Sequence, residues 1–374
     1  MRVALIGTRG VPANYGGFET CAEEVSVGLV ERGHDVTAYC RPGNAQGNPE
    51  EFKGVKLIYK SFVNSKVLGT LSHTFNSLLH AVRQNYDSIL IFNAANGPIC
   101  LLPRLFGQKI AINVDGLEWK RAKWGHIGKL YYQFGEWAST KTCHRIISDA
   151  RGIQDYYHER FKTPSTYIAY GAHIEGSKNP EILKEYDLEP GEYFLSASRL
   201  EPENNADITA QAFAKVKTSK KMAVAGGANW DSPFIKRMKQ VQDDRIRLLG
   251  PVYKEGHIQE LHANCYGYIH GNEVGGTGPA LLKALGYGNC IVALDVNFNR
   301  ETAQDAALYY KKNPNNLAEK IQQLVDDPAL AAKLREAAPK RIEQDYQWSK
   351  VIDDYEKLMQ RVASDYYKEN PDSD

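Results

Sequence analysis

Cysteine is sparse and dispersed: six residues, at 21, 40, 100, 143, 265 and 290, form no C-x-x-C pair, and no histidine cluster stands at metal-ligand spacing. That argues against a disulfide framework or a zinc site and for reduced thiols in a cytosolic compartment. An excess of one charge is missing too. With 46 Lys and Arg against 45 Asp and Glu the net charge is +1, so no global field gathers nucleic acid, and any bound anion is bound locally. Long apolar runs are also lacking. The opening MRVALIGTRG turns polar after five residues, too short for the core of a secretory signal. Ser88 to Gly107, the most apolar later stretch, is interrupted by Asn93, Asn96, Pro98, Pro103 and Arg104, which excludes a membrane span. With no span, any meeting with a membrane is expected from its cytoplasmic surface; no repeat of solenoid length is visible.

What remains is room and rhythm. A chain of 374 residues with balanced apolar and charged content is long enough for two ordered domains. Short β-branched runs alternate with helix-length segments: VALIG, VTAYC, VKLIY, SILIFN, KIAINVD, RIISD and STYIAYG in the first half. After the polar stretch Glu175 to Gly191 the series restarts with EYFLSAS, KMAVAGG, RIRLLG, YGYIHG, NCIVALD and ALYY. Apolar strands separated in this way predict parallel sheets covered on both faces, hence two open α/β domains. From Phe18 to Arg32, apolar residues at helical spacing follow an acidic first turn, and Gly33 can end the helix. Further helices are predicted over 317–325, 328–343 and 351–367, before an acidic tail that frays.

In open α/β sheets, ligands bind beyond the carboxyl ends of the strands, which directs attention to three loops. GTRGVPANYGGFET, residues 7–20, lacks the dinucleotide spacing. Gly16 and Gly17 before a helix can still bring backbone N–H groups close to a phosphate, or simply make a tight turn. SASRLEPENNAD, residues 196–207, places Arg199 directly after a strand, where its guanidinium suits a diphosphate or an ordinary surface ion pair. Asn204 and Asn205 in the same loop can cap the next helix or donate to the anion. In HGNEVGGTGPALLKALG, residues 270–286, Gly275, Gly276, Thr277 and Gly278 lead into Pro279 at the first helical position, a ready anion site. Glu273 stands after the strand, either at the mouth of the site or as a solvated carboxylate. Three phosphate-capable loops in a two-domain α/β chain point to a nucleotide-activated ligand. The natural site is a cleft between the domains.

These motifs, taken in order with NVDGLEWKRAKW (113–124), RLEPENN and LGPVY, resemble the rhamnosyltransferase-like group of glycosyltransferase family 4 over some four fifths of the chain. The resemblance implies a GT-B fold, in which two Rossmann-like doubly wound domains face a central cleft. The expected division is 1–175 for the acceptor-side domain, 176–345 for the donor domain, and 346–374 for a carboxy-terminal helix returning to the first domain and a tail. It further implies a retaining, metal-independent transfer without cofactor, in which the leaving phosphate takes the acceptor proton. The implied donor is a nucleotide sugar, dTDP-L-rhamnose in close relatives. The implied acceptor is a sugar or oligosaccharide on a polyprenyl diphosphate, in cell-surface polysaccharide synthesis. By matching position, Arg199 would contact the donor diphosphate, Gly275, Gly276 and Thr277 would donate to it, and Glu273 would position the sugar. Val252 would lie near the base, Gly16 and Gly17 would close on the diphosphate or acceptor, and Asp115 would touch substrate.

A lipid-borne acceptor implies a surface trace, and Lys120, Arg121, Lys123 and Trp124, at the head of the aromatic-rich stretch ending at Trp137, suit an anionic membrane. The chain also departs from the pattern: Asn272, Gly278 and Lys283 stand where His, Asn and Glu are expected. Lysine cannot accept a hydrogen bond, so Lys283 cannot replace a carboxylate that binds the donor ribose. Altered donor recognition, a weakened or inactive relative, or a disabling substitution are the readings this leaves. A nucleotide-sugar 2-epimerase and a nucleotide-sugar-binding relative without turnover remain the alternatives to transfer.

Overall fold

The computed structural model of the chain describes residues 1–370 and 372, apart from 15, 66, 67, 122 and 228–232. It divides into two compact units, Met1–Tyr170 with Trp348–Asp374, and Gly171–Gln347. The first boundary falls at 170/171 and the chain returns to unit 1 at 348.

Unit 1 holds eight strands: β1 (Arg2–Ile6), β2 (Asp35–Cys40), β3 (Glu51–Phe52), β4 (Val55–Tyr59), β5 (Ser88–Phe92), β6 (Ile110–Asn113), β7 (Arg145–Ser148) and β8 (Ser165–Tyr167). Their order is β3-β4-β2-β1-β5-β6-β7-β8, parallel except for the β3–β4 pair. Every residue of β5, β6 and β7 is buried, as a sheet covered on both faces requires. Covering helices include α1 (Gly17–Glu31), α2 (Leu68–Ala81), α3 (Leu101–Leu105) and α4 (His126–Thr142). The helix Trp348–Ala363 completes this unit: Tyr355 Oη accepts from Asn113 Nδ2 at 2.8 Å, and Arg32 pairs with Asp353 and Glu356. Gly28 makes room for it, because a Cβ there would stand 2.4 Å from Ile352 Cδ1.

Unit 2 holds β9 (Tyr193–Ala197), β10 (Lys221–Ala225), β11 (Ile246–Gly250), β12 (Gly267–His270), β13 (Ile291–Leu294) and β14 (Ala307–Tyr310). They run in the order β11-β10-β9-β12-β13-β14, and the pairs are parallel. Phe194, Phe213, Ile269, Val292 and Tyr310 centre its core. The strand order reverses between β1 and β5 in one sheet and between β9 and β12 in the other, the switch points where loops diverge and leave room for a ligand. Residues 177–179, within the polar stretch read as the break between halves, are docked onto unit 2: Glu260 accepts from Ser177 Oγ (2.6 Å) and the N–H groups of Lys178 (2.5 Å) and Asn179 (2.7 Å).

Candidate functional site

The loops leaving β9 and β12, on either side of the switch point of unit 2, are joined by hydrogen bonds. Glu273 N–H donates to Glu203 O at 2.9 Å, and Asn205 Nδ2 donates to Gly271 O at 2.8 Å. Gly271 permits this closeness, since a Cβ there would meet Asn204 O at 2.4 Å. Asn204 Nδ2 donates to Arg199 O at 2.7 Å, so both asparagines brace the loop instead of projecting from it. Asn205 adopts φ 54°, the left-handed region that asparagine tolerates, as the chain turns into the next helix.

Arg199 is thereby fixed by its backbone while its side chain stays half exposed, 3.9 Å from Glu201 Oε1. On the far side of its loop, Leu200 N–H donates to Gly227 O (2.8 Å), and Gly226 N–H donates to Gly250 O (2.8 Å) at the end of β11. Val252 follows there, half-buried, next to the exposed Tyr253, whose Oη lies 3.6 Å from where a Gly227 Cβ would be. Four strand ends are thus linked into one surface.

Glu273 accepts from Lys312 Nζ, which follows β14. In the glycine loop Thr277 is buried, Gly276 is buried and Gly275 is half-buried. Gly278 caps the helix Pro279–Gly286, with Pro279 in its first turn. Beneath the loop lies His270, fully buried at the end of β12, its Nε2 3.6 Å from a Cβ placed at Gly278. Burial pushes its pKa down to about 4, so the loop rests on a neutral imidazole.

Lys283, in that same helix, is exposed by area, yet protein atoms crowd its ammonium. The crowding holds its pKa below the usual lysine range, and the Glu175 carboxylate opposes the shift. Glu175 itself accepts from Tyr287 Oη.

The structure therefore brings together Arg199, Asn204, Asn205, Glu273 and the glycine loop, while Gly16, Gly17, Asp115 and the basic–aromatic stretch belong to unit 1. Gly16 precedes the first turn of α1, where Glu19, almost fully buried, accepts from Arg9 N–H at 3.0 Å. Asp115 has φ 60°, and its N–H donates to Asn113 Oδ1 at 3.0 Å at the end of β6. Glu118 gathers much of the basic stretch: Arg121 Nε and Lys123 Nζ each approach its oxygens at 2.6 Å, and Trp124 Nε1 donates to it at 3.3 Å. Trp124 also packs on Tyr132, and Lys120 lies over the Trp119 ring. Sequence reasoning missed Lys312 and Tyr253. The pair of lysines after the last parallel strand, in ALYYKK, was the available signal for the first.

Residues 178–341 match the family described as glycosyl transferases group 1. That stretch lies within unit 2. It contains the joined loops, Arg199, Glu273 and Lys283, while residues 101–173 match a domain of unknown function, DUF1972. No curated protein sequence matches. Among solved structures, sucrose-phosphate synthase from Thermosynechococcus elongatus is similar at TM-score 0.81 and 16% identity, covering 97% of this chain and 99% of that one. Anabaena Alr3699/HepE in complex with UDP has a TM-score of 0.76 at 15% identity, covering 96% and 100%. A glycosyltransferase from Rickettsia africae ESF-5 has a TM-score of 0.75 at 14% identity, covering 96% and 98%. At these identities the likeness establishes the fold: units 1 and 2 are the two Rossmann-like units of GT-B.

Proposed function

We propose that the protein is a retaining, metal-independent glycosyltransferase that moves a sugar, L-rhamnose from dTDP-L-rhamnose, to a polyprenyl-diphosphate-linked sugar or oligosaccharide. The observation that carries the reading is the pairing of the β9 and β12 loops, which sets Arg199 and Glu273 at one switch point of unit 2. As the anomeric C–O bond stretches, negative charge grows on the departing diphosphate, and fixed cations and N–H donors that face it lower the barrier. Glu273 would exchange Lys312 for the sugar hydroxyls. HepE structures holding UDP, UDP with glucose, and UDP-glucose support a nucleotide-sugar donor.

Release of nucleoside diphosphate that depends on the lipid-linked acceptor tests this reading, with dTDP-, UDP- and GDP-sugars compared. Release without acceptor favours the epimerase alternative, and no release even from Lys283→Glu favours a binding protein. In calorimetric titrations, Lys283→Glu is expected to bind its nucleoside diphosphate about tenfold more tightly, because a carboxylate accepts ribose hydroxyls where an ammonium cannot. Equal affinity would remove Lys283 from the donor site.

An anionic membrane surface is the proposed partner of unit 1, through the stretch that Lys120, Arg121, Lys123 and Trp124 head and that continues along α4 to Trp137. Ile127, Leu130, Phe134 and Trp137 recur at helical spacing along α4 and are exposed, Ile127 by 85%. Arg104 donates to Thr142 O (3.3 Å), setting α3, with exposed Leu101 and Leu105, against the end of α4. Charge selects the occupant: residues 60–148 carry 11 Lys and Arg against 4 Asp and Glu, net +7, whereas the rest carries 35 against 41, net −6. Apolar groups on a basic segment suit anionic lipid. Ile127→Ser with Leu130→Ser should abolish flotation with phosphatidylglycerol vesicles. Unchanged flotation, or a dimer that dissociates on mutation, would refute the membrane assignment.

A further inference from the structure

Unit 1 contains a pocket of about 340 Å³, lined in part by Arg9 and Asn14 of the loop 7–20. Arg9 and Arg41 line it together with Asn14, Asn44, Asn64 and Ser65, and no carboxylate is among its described lining residues. Arg9 lies in the loop after β1 and Arg41 directly follows β2. Those strands are paired in parallel, and Arg41 N–H donates to Arg9 O at 2.8 Å. The two arginines therefore start side by side at adjacent carboxyl ends, where open α/β sheets bind ligands.

The Arg41 guanidinium is oriented before any ligand arrives. Its Nη2 donates to Thr70 Oγ1 at 2.9 Å, and it lies 5.1 Å over the ring of Phe62, which also lines the pocket. Two planar guanidinium groups with amides around them match the several oxygens of a diphosphate better than a single carboxylate.

The pocket's rim says what else the ligand carries. Val63, between the lining residues Phe62 and Asn64, is 51% exposed, and so is Leu68 at the start of α2. Thr70, which holds Arg41, is in the first turn of that helix, so the helix begins at the pocket. Leu68, Ser72, Phe75 and Leu79 follow at spacings of four, three and four, one face of a helix. The three apolar members are exposed, and the row extends for about 16 Å at 1.5 Å per residue. A water-soluble phosphate ester needs no apolar track leading out of its anion pocket, whereas an amphiphile does.

We infer that this pocket binds the diphosphate of a lipid whose hydrocarbon chain lies along Leu68, Phe75 and Leu79. The assignment deepens the acceptor half of the proposed function and rests on that reading for the lipid's role as acceptor carrier.

Titration of the full chain with farnesyl diphosphate, inorganic pyrophosphate and farnesol separates the contributions. Farnesyl diphosphate should bind at least about tenfold more tightly than pyrophosphate, and farnesol, lacking the anion, should show no arginine-dependent binding. Arg9→Gln with Arg41→Gln should weaken farnesyl diphosphate about a hundredfold. Leu68→Ser with Phe75→Ser should bring it down to the pyrophosphate level. Nucleoside diphosphate affinity, which reads unit 2, should be unchanged in every variant, and an unchanged melting transition of unit 1 certifies their folding. Farnesyl diphosphate binding that survives loss of both arginines overturns the inference, and so does pyrophosphate binding as tight as the lipid's. Either result beside normal nucleotide binding leaves the transferase reading standing, whereas failure of the wild-type chain to bind any nucleotide sinks that reading instead.

Discussion

Exchanging Arg199 for glutamine should slow sugar transfer about a hundredfold or more while the melting temperature hardly moves. The two effects separate because of how the residue is held. Its backbone is fixed by Asn204 Nδ2 and by the neighbouring Leu200–Gly227 hydrogen bond, neither of which involves the guanidinium. The side chain is half exposed, and its pairing with Glu201 at 3.9 Å is of the surface kind that adds little to folding. Glutamine keeps a donor but removes the charge, and charge is what a departing diphosphate demands as the glycosidic bond breaks. The loss should therefore fall on kcat, with KM for the acceptor nearly unchanged. Steady-state kinetics on the purified variant provide the check. A rate within twofold of the parent would place the leaving group elsewhere.

Gly226→Ala should destabilise unit 2 by about 3 kcal/mol or more, a fall of roughly 10 °C in its melting transition. A Cβ at this position would lie 1.8 Å from Ser198 O, a backbone atom that cannot swing aside as a side-chain end can. Ser198 N–H donates to Ala225 O at 3.0 Å, so the ends of β9 and β10 are held together at the point where the methyl would intrude. Relief requires moving the chain that leads into Arg199, so binding of nucleoside diphosphate should weaken along with stability. Gly152→Ala supplies the contrast: in the helix Arg151–Phe161 its Cβ would meet nothing within 4 Å, and calorimetry should show no loss. An unchanged transition for Gly226→Ala would mean that these strand ends stand further apart in solution.

How much of this was legible in the sequence follows from what kind of contact each feature depends on. Buried parallel strands have apolar residues on both faces, so SILIF and IVAL could be read directly as strands. Helix α1 was expected over Phe18 to Arg32 and spans Gly17–Glu31. The two-residue strand β3 carries no such pattern and was missed. In the candidate site, the glycines before Pro279 announced themselves by composition. Gly226 and Gly271 did not, because their meaning lies in carbonyls of Ser198 and Asn204, remote in the chain. Lys312 escaped for the same reason. The aromatics of α4 were visible, but their distribution was not: Tyr132 is buried, while Phe134 and Trp137 stack on each other at 5.7 Å in the open. Periodicity shows that a helix has an apolar face and leaves unsaid whether the protein itself covers it.

The return of the chain to unit 1 at Trp348 bears on the order of events during synthesis. Tyr355, against Asn113 and Cys21, and Ile352, against Gly28, close the first core, yet the ribosome makes them only after all of unit 2. Unit 2 can fold as it emerges, whereas the half made first must wait with the α1 and β6 surfaces bare. The unit translated last in part is thus the one exposed longest to chaperones and proteases. A premature stop after residue 347 would release a chain whose second half is whole and whose first half is never sealed.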